Sequence, residues 1–150
     1  FNRLIVAGQQ VLMVGEAGFV AISEDAGESW RRLEEFYNGS LFDIHRTQAG
    51  TLLVAGLRGN LFRSTDNGES WQDIALPVSA TLNSIFEDDS GKLYLAGNAG
   101  ALLLSEDDGL NFVDQSQADG REVLNGLAIA EQVLLVTEAG VKLTTINKSE

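Results

Sequence analysis

The chain has no cysteine, a single proline, a single histidine and only ten basic residues in 150. Each shortage closes a route. Without cysteine there are no disulfides and no thiolate metal sites, although this absence does not choose a cellular compartment. His45 alone cannot supply the usual zinc cluster and is expected to be structural, on an inner strand. Ten Lys and Arg against 22 Asp and Glu leave a formal net charge of −12. A nucleic-acid binder presents a basic face, so DNA and RNA are poor candidates as partners, and an anionic membrane surface is disfavoured for the same reason. Apolar runs such as "LIVA" (4–7), "VLMV" (11–14) and "ALLL" (101–104) are far too short to span a bilayer, so direct membrane insertion is not expected. The chain opens on Phe1 rather than methionine, and is expected to be a processed or trimmed product whose export signal lies outside it.

What is present is a repeat. "SEDAGESW" begins at Ser23, "STDNGESW" at Ser64 and "SEDDGLNF" at Ser105, 41 residues apart each time. Upstream of each lies a second marker, "GEAG" (15–18), "GLRG" (56–59) and "GNAG" (97–100), with "TEAG" (137–140) arriving one residue early. Markers that keep one period define a repeat architecture. In the second unit the runs "LFDIHR" (41–46), "TLLVAG" (51–56), "NLFRS" (60–64) and "SWQDIAL" (70–76) are strand-length and apolar or β-branched. They are separated by hairpin-sized Gly, Asn, Asp and Ser clusters. "SWRRLEEFY" (29–37) comes nearest to a helical period, but the repeat places it on a fourth strand. Four-stranded units of about 40 residues are the signature of a β-propeller, one unit per blade. The expected fold is therefore all-β, with blades at about 3–40, 41–81, 82–122 and 123–150, the last incomplete. Some 3.7 blades are fewer than most rings close with. The chain is expected to be part of a longer protein, or to self-associate through its open blade edges.

Each acidic box joins the third strand of a unit to the fourth. Asp66 and Ser64 can accept from amides that the ladder no longer pairs. Gly68 supplies a positive φ, and Trp71 covers the turn. Ser23, Asp25, Gly27 and Trp30 repeat the plan, as do Ser105, Asp107, Gly109 and Phe112. A folding module is needed once per blade and a reaction centre is not, so these twelve residues are expected to be structural. "SEDDG" (105–109) and "EDDSG" (87–91) lack the length and closing glutamate of an EF-hand. The "GEAG" group joins strands instead of opening a helix, which excludes a phosphate loop. No cofactor and no dedicated metal site are expected.

S-x-D-x-G-x-[ST]-W resembles the Asp-box, or bacterial neuraminidase repeat, of sialidases and many non-enzymatic propellers. Residues 23–30 and 64–71 match it fully; residues 105–112 have Asn111 and Phe112 in place of the Ser-Trp pair. The flanking "AGLRGNLFRSTDNGESW" is similar to the photosystem II stability/assembly factor-like branch. That resemblance implies a ring of about seven blades, of which this chain would be a part, and a non-catalytic, periplasmic or otherwise extracytoplasmic factor that binds a protein or peptide, assists biogenesis of a membrane complex, and carries its boxes away from the binding face. Relatives in that branch use a basic patch for an acidic peptide tail, to which Arg3, Arg58 and Arg121 would contribute here.

Blade topology places the strand 2–3 turns and the inter-blade segments on the disc face opposite the boxes. The candidate binding residues there are Glu16, Tyr37, Arg58, Asn98 and Arg121, with Arg3, Asp43, Asn83 and Asn125 on the innermost strands near the channel mouth. Loops on a rigid frame are where scaffolds carry function. A sialidase would also need a tyrosine–glutamate pair and the arginine motif that opens its propeller. Neither Tyr37 nor Tyr94 has a suitable glutamate, so no catalysis is expected. A glycan-active enzyme or lectin on the same frame is the alternative.

Overall fold

The computed structural model describes residues 1–129 and 132–146. It is built from antiparallel strands in four sheets, one for each expected blade. The first holds β1 (Arg3–Ala7), β2 (Gln10–Val14), β3 (Val20–Ser23) and β4 (Arg31–Arg32); the second holds β5 (Leu41–Arg46), β6 (Leu52–Gly56), β7 (Leu61–Ser64) and β8 (Gln72–Asp73). The third holds β9 (Leu82–Glu87), β10 (Leu93–Gly97), β11 (Leu102–Ser105) and β12 (Val113–Asp114); the last has only β13 (Val123–Ile129), β14 (Gln132–Thr137) and β15 (Gly140–Thr145) among the described residues. Every sheet runs in sequence order from its innermost strand outward.

Three apolar clusters cement the four sheets in series. Leu12, Val14, Val20 and Ile22 of the first meet Leu41, Ile44, Val54 and Phe62 of the second. Leu53, Ala55 and Leu61 then meet Ile85, Leu95 and Leu103. Phe86, Tyr94, Ala96, Leu102 and Leu104 meet Val123, Val133 and Leu135. A blade between two others buries both faces. That is why β6 and β10 read as unbroken apolar runs and are buried at every position, as strands covered on both sides do. Side chains such as Leu52, Leu95 and Leu102 are fully removed from solvent, each contributing about 1.5–3 kcal/mol.

The fourth strands are much shorter than the sequence suggests. The expected strands at 29–37 and 70–76 keep only Arg31–Arg32 and Gln72–Asp73 in the ladder. One further bond follows, from Leu33 N–H to Val20 and from Ile74 N–H to Leu61, both 2.9 Å. Leu33 and Ile74 then turn into the inter-blade clusters. Where blades diverge there is space to fill, and burying a large aliphatic chain there outweighs extending an edge strand that has one neighbour.

The innermost strands carry a feature invisible in the pattern. The register skips one residue between Leu41 and Asp43 in β5, between Leu82 and Ser84 in β9, and between Val123 and Asn125 in β13. Each skip is a β-bulge, which bends the strand and re-aims the next side chain. In ladder register, Arg3, Asp43, Ser84 and Asn125 become equivalent, facing Val14, Ala55, Ala96 and Val136.

Candidate functional site

Contacts between loops define two opposite faces. On one, the strand 2–3 turns bond to the inter-blade segments: Gly18 N–H to Gly39 (2.7 Å), Leu57 N–H to Ser40 (3.2 Å) and Asn98 N–H to Thr81 (2.9 Å). On the other, the strand 1–2 turns meet the boxes, as in Ala26 N–H to Gln9 (2.7 Å) and Lys92 to Glu106 (2.5 Å).

The box face is internally committed. Asp66 accepts from Ser64 Oγ (2.8 Å), Ser70 N–H (2.9 Å) and Ser70 Oγ (2.5 Å), while Gly68 N–H donates to Ser64 Oγ (2.9 Å). Trp71 Nε1 donates to the Gly68 carbonyl at 3.1 Å. Asp25 repeats these bonds with Ser23 and Ser29, and Trp30 repeats the indole bond to Gly27. Asp107 does the same with Ser105 and Asn111, whose side-chain amide replaces the serine hydroxyl at 2.7 Å. The tip residues Ala26, Asn67 and Asp108 have φ near +60°, as do the following glycines at larger values. This two-residue αL pair is the type I′ turn that matches strand twist.

Hydroxyl and amide donors around Asp25 and Asp66, the serine side chains first, pull both carboxyls down to about 2. A depressed carboxylate stabilises the fold above its unfolded pKa, and that contribution is lost as pH falls through the folded value. Stability should therefore decline between 3.8 and about 2 on account of Asp66, and the gap between wild type and Asp66→Asn should narrow over that window. Trp71, bonded to the same turn, offers a fluorescence readout in an acid titration. A gap that stays constant would refute the assignment.

Asp108 has a second job that the sequence reading did not assign. It accepts from Thr47 Oγ1 (2.8 Å), Thr51 Oγ1 (2.5 Å) and Arg63 Nη2 (2.7 Å), all on the preceding blade. Burial opposes its ionisation, but these donors outweigh burial and hold its carboxyl below the usual range. The signal was available, since the turn needs only a residue tolerating φ > 0 and Ala26 suffices elsewhere. His45 and Glu87 likewise bridge two blades at 3.1 Å, and Glu87 also accepts from Gln48 N–H at 3.0 Å.

On the opposite face the expected site residues separate into two groups. Asp43 is buried; Oδ1 takes Ile44 N–H (2.9 Å) and Arg3 Nε (3.1 Å), and Oδ2 takes Ile85 N–H (2.7 Å). Burial pushes its carboxyl up, against the opposing pull of those donors. Asn125 accepts from Ser84 Oγ (2.8 Å) and Gly126 N–H. Asn83 sits on the bulge, one place off the ring, where its amide reaches Asn98 (3.0 Å), Glu122 (3.3 Å) and the Val123 carbonyl (3.0 Å). Glu16 is held by Ser40 and Asn2, which lower its pKa. Tyr37 lies against Phe62, ring centroids 5.1 Å apart, with its hydroxyl taking Asn60 Nδ2 at 3.2 Å. These side chains join blades.

Arg58 and Arg121 form the second group, since both side chains are exposed. Arg58 occupies the αL position of its I′ turn at φ +58°, where the equivalent residues are Ala17 and Ala99. The turn asks for nothing longer than alanine there, so the guanidinium is surplus to the fold. Arg3, half-exposed beside Asp43, belongs to the same face. No group of three or more potential metal ligands occurs among the described residues.

Residues 62–73 match the BNR/Asp-box repeat family model. No curated protein is similar enough to register as a match. Among solved structures, YCF48 bound to a D1 peptide superposes with a TM-score of 0.71 at 17% identity, covering 96% of this chain and 48% of that one. An ancestral GH74 enzyme gives 0.80 at 18% identity, covering 97% and 22%. The computationally designed Ika4 protein gives 0.74 at 11% identity, covering 96% and 89%. The chain thus spans about half of that YCF48 structure and nearly the whole of the designed one. With the box turns, the serial sheets and these likenesses together, the chain has the β-propeller fold and carries a BNR/Asp-box repeat at residues 62–73.

Proposed function

We propose that this chain is a non-catalytic binding module, an assembly-factor-like propeller working outside the cytoplasm. It holds an acidic peptide segment of a partner protein on the loop face. The observation that carries the reading is the asymmetry of charge use. The Asp66 and Asp107 carboxylates are tied into their own turns, while Arg58 projects from a turn that does not require it and Arg121 is exposed on the same face. A guanidinium on a rigid turn recognises carboxylates by paired, directional bonds. A peptide bound by a propeller of the same fold, YCF48 with its D1 peptide, is consistent with this use.

The test is fluorescence anisotropy with a labelled peptide rich in Asp and Glu against a neutral control. Arg58→Glu should weaken binding about ten-fold, the loss of one charge-assisted contact, and Arg58→Glu/Arg121→Glu should weaken it further. Equal affinity for the neutral peptide, or indifference to both substitutions, overturns the proposal. Turnover in a parallel oligosaccharide screen would instead favour the glycan-active alternative.

A further inference from the structure

The last blade presents an apolar face that no described residue covers. In the third blade, Phe86, Tyr94 and Leu104 form one cross-strand row and Ser84, Ala96 and Leu102 the next; together they make the junction with the fourth. By the same ladder register the fourth blade offers Leu127, Leu134 and Leu143, then Asn125, Val136 and Val141. The side-chain chemistry of a junction is therefore repeated, but not its burial. Leu143 is 52% exposed where Leu104 is 5%, and Val141 is 68% exposed where Leu102 is fully buried.

The first blade shows the complementary half. Leu4, Met13 and Ala21 stand in the row that in the second blade holds Ile44, Val54 and Phe62. That second-blade row is packed against its predecessor. Leu4 is 48% exposed and its counterpart Ile44 is 1%. Trp30, at the place where Trp71 seals the first junction, is 41% exposed.

We propose that a second copy of this chain fills both faces, the fourth blade of each copy docking on the first blade of the other in a closed two-fold ring. Three observations select this occupant. The two open faces are the two halves of one junction that the chain already makes three times, so the surface continues an existing interface. At the inner ring, Asn125 of one copy would approach the position of Arg3 in the next, an amide acceptor opposite a guanidinium, as Arg3 now faces Asp43. Two sets of four blades also give eight, within the range at which propellers close, and closure in a cyclic pair leaves no exposed junction at either end.

Sedimentation velocity and light scattering on the 150-residue chain provide the test. The expected result is a discrete species of twice the 16.1 kDa chain mass. Leu143→Lys on the fourth blade and Val6→Lys on the first alter exposed side chains and should each give a folded monomer, checked by circular dichroism. Mixing the two variants leaves one intact junction per pair, so a two-copy species should reappear. A wild-type monomer, open-ended polymers, or a dimer that survives either substitution alone would each overturn the closed head-to-tail ring.

Discussion

Replacing Asp43 with alanine is expected to lower stability by about 3–5 kcal/mol, the usual cost of breaking a buried charged cluster. Donors from three blades, not the ion pair alone, set this cost. The carboxylate takes the main-chain N–H of Ile44 in its own blade and of Ile85 in the next, and the Nε of Arg3 in the one before. Alanine would leave two buried amides unpaired, each costing about 1–3 kcal/mol. Asp43→Asn does not rescue the site, because the NH2 of the new amide must face an N–H whichever way it is turned. Both substitutions should therefore move the urea midpoint downward, with Asp43→Ala the larger shift.

The pH dependence of this residue runs opposite to that of the boxes. Burial raises the folded-state pKa of Asp43, so its contribution is fullest below the unfolded value and declines as pH rises through the folded one. Denaturation midpoints that are unchanged in Asp43→Ala would show that the blades register without it.

The second large effect is expected at Gly18. An alanine there would put its Cβ 1.6 Å from the Tyr37 carbonyl oxygen, at a backbone φ of +65°. Strain in the left-handed region adds about 1–2 kcal/mol and forced overpacking about 1–3 kcal/mol. A combined loss of about 2–5 kcal/mol would lower the Tm by roughly 10 °C in a chain of this size. Two other glycines separate the causes. Gly97 has an extended φ of −173°, but its Cβ would lie 2.0 Å from the Thr81 carbonyl, so Gly97→Ala measures close approach alone. Gly50 has φ +90° with nothing within 4 Å, so Gly50→Ala measures backbone strain alone and should be the mildest. A thermal melt in which Gly50→Ala is as damaging as Gly18→Ala would reverse this assignment.

The blades were legible because their markers are local. A serine, an aspartate, a glycine and an aromatic residue within eight positions specify a turn wherever they stand, and 41-residue spacing counts the units. The inner ring was legible only in part. Arg3, Asp43 and Asn125 can be picked out as polar residues at the starts of inner strands, and the 41-residue spacing puts Ser84, not its polar neighbour Asn83, in line with Asp43 and Asn125. The bulges recur in β5, β9 and β13, so they leave that spacing unchanged and do not show in it. Tyr37 is half-buried, its ring packed against Phe62 of the next blade, a contact that its own segment does not announce.

The clamp from Asp108 to Thr47, Thr51 and Arg63 spans two blades, and its local sign was a charged side chain at a tip where Ala26 suffices. The second blade carries Asn67 at the matching tip, which takes Arg46 Nη2 at 2.8 Å instead. Junctions between blades are thus individually written, while the turns within them are copied.

Each box closes on itself within seven residues, from Ser23 to Ser29 in the first and from Ser64 to Ser70 in the second. Such a closure survives when the unit around it is duplicated or excised whole, since the Asp25 and Asp66 carboxylates find their partners within the turn. Gain or loss of a whole 41-residue unit can then change the number of petals without inventing a new turn, and the new seams alone have to be fitted.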